Sequence, residues 1–332
     1  MQRAIRIADE SEPSEARRVA LGLADRLHFN DTRRGEAAIV VTEAARNVLL
    51  HGHGGEIVLT AWTNADAGAL DILALDKGPG MKDLSQCLRD GYSTTGTPGT
   101  GLGAISRIAS LFEVQSFEQA GTALFARLEE KPTQLHAHFV TGAVCLPFPG
   151  EPECGDAWAA RHRPGRSIFI LADGLGHGAG AAEAAREALR IFEERSDETP
   201  HQILARIHDA LRKTRGAAVA ICEIDTIARS ARFAGVGNIA AAIIADSRTR
   251  SMVSHNGIVG HSAVRFQEFS YPWPEKAILV MHSDGISSHW DLERYPGLQL
   301  KHPQLIAGVI YRDARRGRDD ATVLIAREVQ PA

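Results

Sequence analysis

Glu43-Ala-Ala-Arg-Asn47, Asp76-Lys-Gly-Pro-Gly80 and Gly99-Thr-Gly-Leu-Gly103 follow one another in the first third of a 332-residue chain, and their order decides the fold of that part. Glu43 and Asn47 are four apart, so they share one helix face about one turn apart. There an amide oxygen can ligate Mg²⁺ held by a triphosphate, while the carboxylate orients or deprotonates an attacking hydroxyl. Asp76 ends an alternating strand, and a carboxylate at such a strand end can accept a bond from an adenine amino group. Gly78 and Gly80 permit a tight turn and close backbone approach. Gly99, Gly101 and Gly103 open a helix whose free N–H groups suit phosphate oxygens. Singly, each element has an ordinary reading: a solvated helix face, a turn after a strand, a loop tip.

Working outward, Ala16, Val19, Ala20, Leu23 and Leu27 have helical spacing over 14–28, and a second helix runs from about 31 to 50. Strands are expected at 56–62 and 70–76, then a long polar loop over 81–99, a helix from 101, and strands at 111–117 and 122–128. The order is that of an α+β sandwich with helices on one sheet face. Glu129-Glu130-Lys131-Pro132 reads as the boundary, giving domains 1–131 and 132–332.

The second part carries carboxylates at sharp turns. Asp173 follows the apolar run Ile168-Phe-Ile-Leu-Ala172, and Asp284 follows Ala277-Ile-Leu-Val-Met-His-Ser283. Each is followed by glycine. Asp319 and Asp320 precede a final strand at 321–327. Single Asp-Gly pairs are common turn formers, but repeated ones abutting apolar strands suit hard cations that take oxygen ligands. Further strands are expected at 136–146, 167–172, 217–224, 231–234, 239–245, 252–254, 265–269 and 277–282. Helices fit 179–195, 201–213 and 303–312. The pattern is a β-sandwich flanked by helices.

Taken together, residues 30–128 resemble the GHKL (Bergerat) ATP-binding fold, in the compact form of the anti-sigma-factor serine/threonine kinases. The resemblance implies that Glu43 is the general base and Asn47 a Mg²⁺ ligand. Asp76 would read adenine, with Gly78, Gly80, Gly99, Gly101, Gly103 and Thr122 completing the ATP site and 81–99 forming its lid. The second part resembles the PP2C-like phosphatases of the SpoIIE branch. The resemblance rests on Cys154-Gly-Asp156, Ala172-Asp-Gly-Leu-Gly-His-Gly178, Gly235-Val-Gly-Asn238, His282-Ser-Asp-Gly285 and Asp319-Asp-Ala-Thr322. It implies that Asp156, Asp173, Asp284 and Asp319, with the Gly174 carbonyl, hold two Mn²⁺ or Mg²⁺ ions that activate a water. Asp319 is preferred to Asp320 as the ligand. His177 reads as support for the glycine loop, with proton donation to the leaving serine as the other reading. Asn238 reads as a turn residue.

Bulk properties exclude some classes. A net charge of −4 gives no electrostatic case for nucleic acid or an anionic membrane. Cys87, Cys145, Cys154 and Cys222 are scattered, without a C-x-x-C, which argues against a zinc site or disulfide framework and fits the cytoplasm. No apolar run approaches the roughly 20 residues that span a bilayer. The expected protein is a bifunctional partner-switching regulator. ATP phosphorylates Ser or Thr of STAS-type antagonist proteins and the two-metal site dephosphorylates them, so controlling a sigma factor or stressosome output. The alternative is a nucleotide-dependent binding module, sequestering or acting in cis, beside a phosphatase that does the only chemistry.

Overall fold

The computed structural model describes residues 1–63, 68–84, 101–131, 138–246, 248–261 and 266–329. The chain divides into two compact units, Met1–Leu135 and His136–Ala332.

The first unit runs β1 (Gln2–Ile7), α1 (Glu12–Arg26), α2 (Asp31–Leu50), β2 (Gly55–Thr63), β3 (Gly68–Asp76), α3 (Gly101–Ile108), β4 (Leu111–Phe117), β5 (Gly121–Glu129). Its antiparallel sheet has the order β1-β2-β3-β5-β4. The Asn30 side chain caps α2, accepting from the Arg33 amide at 2.9 Å. Ala37, Val40, Val41, Ala44 and Val48 form the buried stripe of α2 and pack on Ile57, Leu59, Leu70, Ile72 and Leu124 of the sheet. Strand β1 is not legible in the sequence. It is an edge strand in which only Ile5 and Ile7 are buried, and Arg3 and Arg6 are exposed. Of the loop expected over 81–99, residues 85–99 lie outside the described residues, Gly99 among them.

The second unit runs β6 (Phe139–Leu146), β7 (Asp156–Arg163), β8 (Arg166–Gly174), α4 (Ala179–Arg195), α5 (Pro200–Leu211), β9 (Ala217–Asp225), β10 (Ser230–Val236), β11 (Ala240–Ala245), β12 (Arg248–Met252), β13 (Phe269–Pro272), β14 (Ile278–His282), α6 (Pro303–Ala314), β15 (Ala321–Glu328). Two five-stranded sheets, β13-β10-β9-β8-β7 and β12-β11-β14-β15-β6, bury Phe139, Phe169, Phe233, Trp273, Leu279 and Leu324 between them. Helices α4 and α5 cover the outer face of the first sheet through Phe192, Leu204 and Ile207. Helix α6 packs on β6 and β15. Strand β7 was not expected, because Arg161, His162 and Arg163 leave its second half without an apolar residue. Two others sit four residues away from their expected places: β12 starts at Arg248 and is an exposed edge, and β13 starts at Phe269.

One contact fixes α6 on the sheet. Gly142 lets the helix start lie against β6: a Cβ there would stand 2.0 Å from the Gln304 amide nitrogen. The buried Gln304 side chain then bonds an edge strand as another strand would. Its Oε1 accepts from the Ala143 amide at 2.9 Å and its Nε2 donates to the Ala143 carbonyl at 3.0 Å. Losing a buried hydrogen-bond partner costs about 1–3 kcal/mol per group. Gln304→Leu is therefore expected to destabilise the chain by about 2–4 kcal/mol in urea unfolding. A change under 1 kcal/mol would show that this pairing does not hold the helix.

Candidate functional site

In the first unit the end of α2, the end of β3 and the start of β5 meet. Glu43 and Asn47 lie one turn apart on α2, and α3 begins against them. A Cβ on Gly101 would stand 3.0 Å from Glu43 Oε2 and 3.7 Å from Asn47 Oδ1. A larger residue here would have to displace the Glu43 carboxylate. The Asn47 Nδ2 is buried and has no partner among the described residues. A buried amide aimed at the opening of a helix fits a ligand that brings its own polar groups.

Asp76 is buried at the end of β3. Its Oδ1 accepts from the amides of Gly78 at 2.9 Å and Thr122 at 3.0 Å, which fixes the plane of the carboxylate. Two close approaches seat it. A Cβ on Gly52 would lie 2.5 Å from Asp76 Cβ, and one on Gly121, at φ +78°, 2.1 Å from the Asp76 carbonyl oxygen. Gly80 crosses the Phe117 carbonyl equally closely, at 2.0 Å. Thr122 Oγ1 bonds Ser116 Oγ at 2.8 Å. The structure thus brings together Glu43, Asn47 and Gly101 at one contact, and Asp76, Gly78 and Thr122 at another. Gly52 links the two, since its amide donates to the Asn47 carbonyl at 3.2 Å. Gly103 is buried in α3. Sequence reasoning missed Gly52, although the run His51-Gly-His-Gly-Gly55 carried the signal.

In the second unit, strand ends bring the aspartates together. Asp156 opens β7 and stands directly opposite Asp173 of β8. Asp173, Asp284 and Asp319 line one cleft of about 370 Å³ with Gly176, Asn238 and Asn256. The cleft is open: among the described residues no three acidic, histidine or cysteine groups close on a single point. Hard cations that retain several waters suit such an open set of oxygens.

Burial and mutual repulsion push these acids up. Asp173 rises to about 9, first through burial and then through Asp156, Asp284 and Asp319. Asp156 rises to about 7, mainly through burial. Its Oδ2 accepts from Ser283 Oγ at 2.7 Å, but its Oδ1 is buried with no partner among the described residues. Asp284 is raised by burial and Asp319, and Asn238 Nδ2 donates to its Oδ2 at 2.6 Å. Asn238 is therefore more than the turn residue expected. Clustered oxygens with one orphaned buried acceptor fit a divalent cation, which would discharge all of them.

The adjacent aspartates divide their work. Buried Asp320 accepts from the Phe148 amide at 2.8 Å and the Gly155 amide at 3.0 Å, so both its oxygens tie loops together. Asp319 faces the cleft. Gly174 lies under α4, where a Cβ would meet the Ala181 carbonyl oxygen at 2.1 Å. His177 Nδ1 lies 2.7 Å from Glu151 Oε1, and its ring centroid is 5.2 Å from that of Phe148. Sequence reasoning missed Ser283 as a support for Asp156.

A nucleotide-type site in one unit and a carboxylate cleft between strand ends in the other define a kinase-like ATPase domain joined to a PP2C-like phosphatase. Residues 163–328 match the model of the family "Stage II sporulation protein E (SpoIIE)", and residues 8–128 match "Histidine kinase-like ATPase domain". The chain belongs to the SpoIIE family and carries a histidine kinase-like ATPase domain ahead of its phosphatase domain. Over 125 residues it is 30% identical to the serine/threonine-protein kinase RsbT of Bacillus subtilis strain 168, spanning 38% of this chain and 94% of RsbT. Over 151 residues it is 23% identical to the phosphoserine phosphatase RsbX of the same organism, spanning 45% of this chain and 76% of RsbX. A solved structure from work on the bacterial stressosome as a modular system matches 57% of this chain and 99% of its own, at 27% identity and a TM-score of 0.54. Among the described residues no helix is long and apolar enough to cross a membrane.

The carboxylate cleft generates a direct test. A ligand at a hundredfold excess over its Kd adds about 2.7 kcal/mol, which raises the Tm of a unit this size by roughly 5 °C or more. Saturating MnCl₂ is expected to give that rise in the wild type and none in Asp173→Asn, read by scanning calorimetry. An equal rise in the variant would remove Asp173 from the ligand set.

Proposed function

We propose that the chain both writes and erases one kind of mark, a phosphate on Ser or Thr of a STAS-type antagonist protein. Such a protein controls a sigma factor or a stressosome output, and the chain acts in the cytoplasm, where ATP is supplied. The observation that carries the reading is the presence in one chain of the Glu43–Asn47–Gly101 contact and the Asp173–Asp284–Asp319 cleft. Similarity to a kinase and a phosphatase with the shared Rsb name supports a common signalling setting.

In the writing step Glu43 accepts the proton of the attacking hydroxyl, and Asn47 holds Mg²⁺ with ATP. Asp76 accepts from the adenine amino group, its plane fixed by Gly78 and Thr122. Gly78 and Gly80 in the turn after β3, and Gly101 and Gly103 at the start of α3, leave room for close approach of the nucleotide. In the erasing step Asp156, Asp173, Asp284 and Asp319, with the Gly174 carbonyl, hold two Mn²⁺ or Mg²⁺ ions. Those ions supply Lewis acidity and neutralise phosphate charge. Ser283 and Asn238 fix the carboxylates of Asp156 and Asp284 for that task.

Incubation with a STAS-domain protein and labelled ATP tests both halves. Glu43→Ala is expected to lower phosphate transfer by about 100-fold or more. Asp173→Asn is expected to leave transfer intact and let the phosphorylated product accumulate. Transfer undiminished in Glu43→Ala would overturn the assignment of the base. ATP-dependent binding of the antagonist with no transfer at all would leave the first unit as a binding module.

A further inference from the structure

The carboxylate cleft poses a charge problem for its substrate. A phosphoserine carries about −1.5 to −2 charges at neutral pH, and Asp173, Asp284 and Asp319 line the wall it must approach. Metal ions offset that repulsion at the phosphorus and help orient the group, but the ionised carboxylates around them give the outer phosphate oxygens no hydrogen-bond donor. An arginine fork supplies donors in two parallel hydrogen bonds.

Arg215 occupies the place for such a fork. It lies in the turn between α5 and β9, and that turn is pinned to the loop after Asp173. The Leu175 amide donates to the Gly216 carbonyl at 3.0 Å, and Ala217 pairs with Gly174. Gly216, at φ +79°, makes the turn. The guanidinium then lies along the loop. A Cβ on Gly176 would stand 3.6 Å from Arg215 Nη1, and one on Gly180 would stand 2.7 Å from its Nε. Gly176 itself lines the cleft, so the guanidinium stands beside one of the residues of its wall.

Arg215 is exposed and has no hydrogen-bond or ion-pair partner among the described residues. Arginines further along α4 are paired instead: Arg186 with Glu153 at 2.7 Å, and Arg190 with Glu187 and Glu194 at 2.7 and 2.6 Å. Gly180 belongs to the first turn of α4, so the cation also stands at the positive end of a helix, where a cation is disfavoured. An anion bound by Arg215 removes both penalties.

We propose that Arg215 is the phosphate-binding residue of this phosphatase site and takes two non-bridging oxygens of the phosphoserine substrate in a bidentate grip. The proposal rests on the phosphatase reading of the cleft. It makes the substrate's phosphate dianion, rather than its peptide, the group recognised here.

The test uses the full chain with Mn²⁺, p-nitrophenyl phosphate as substrate and inorganic phosphate as competitive inhibitor. Arg215→Ala is expected to raise the inhibition constant for phosphate and the KM about tenfold, while kcat changes less. Arg215→Lys keeps the charge without the fork and is expected to fall between. The Mn²⁺-induced rise in Tm, unchanged in both variants, reports that fold and metal site are intact. An inhibition constant for phosphate within twofold of the wild type in Arg215→Ala overturns the proposal. If the wild type releases no nitrophenol, the phosphatase reading fails by itself. Calorimetric titration of inorganic phosphate with Mn²⁺ then decides on Arg215: affinity lost in Arg215→Ala supports the proposal, and unchanged affinity overturns it.

Discussion

Asp156 and Asp173 stand directly opposite each other across β7 and β8, both largely withdrawn from water. Like charges in that position weaken a sheet, and burial penalises each charge further. Much of the second unit follows from that placement. The two sheets and their helices supply the apolar burial that keeps the strand ends where they are. Ser283 reaches across from the second sheet to bond Asp156, and its Oγ in turn accepts from the Thr322 amide at 3.0 Å. Asp320 draws the Phe148 and Gly155 amides together just ahead of Asp156. These bonds orient the carboxylates without neutralising them. The local cost remains, and a cation is the group that relieves it.

The first unit meets the same need, a polar site at a sheet end, by geometry instead of crowded charge. Its decisive features are missing side chains. Gly52 and Gly121 allow the backbone after α2 and at the start of β5 to approach β3 and α2 within distances that no Cβ permits. The polar groups that result, Asn47 and Asp76, come from separate elements. A substitution at either of these glycines therefore moves backbone, whereas a substitution at Ser283 only removes a bond.

The parts legible in the sequence share a physical cause. The apolar stripe of α2 and the apolar runs ahead of Asp173 and Asp284 are local patterns, and each exposes the polar residue that breaks it. Strands β1 and β7 escaped because each carries two arginines and few large apolar residues, so neither shows a clear apolar pattern. The roles of Asp319 and Asp320 were not separable by pattern beyond a preference, since neighbours in a sequence have the same surroundings. They separate only when Phe148 and Gly155, 172 and 165 residues away along the chain, arrive at Asp320. The role proposed for Arg215 escaped for the same reason: it lies in two glycines that the turn after α5 brings beneath it.

Joining writer and eraser in one chain has a consequence that separate proteins lack. On the proposed reading, both rates scale with the concentration of the same molecule. The steady phosphorylation level of a shared substrate is then a ratio of two turnover rates, and the amount of chain cancels. The ratio still responds to whatever loads the two sites differently. The first site needs nucleotide, whereas the second needs cations to offset carboxylates that repel each other and the substrate. Scarcity of divalent ions therefore weighs on both sites. At the eraser, an arginine beside the cleft softens that dependence only for binding, since it cannot replace the ions at the phosphorus.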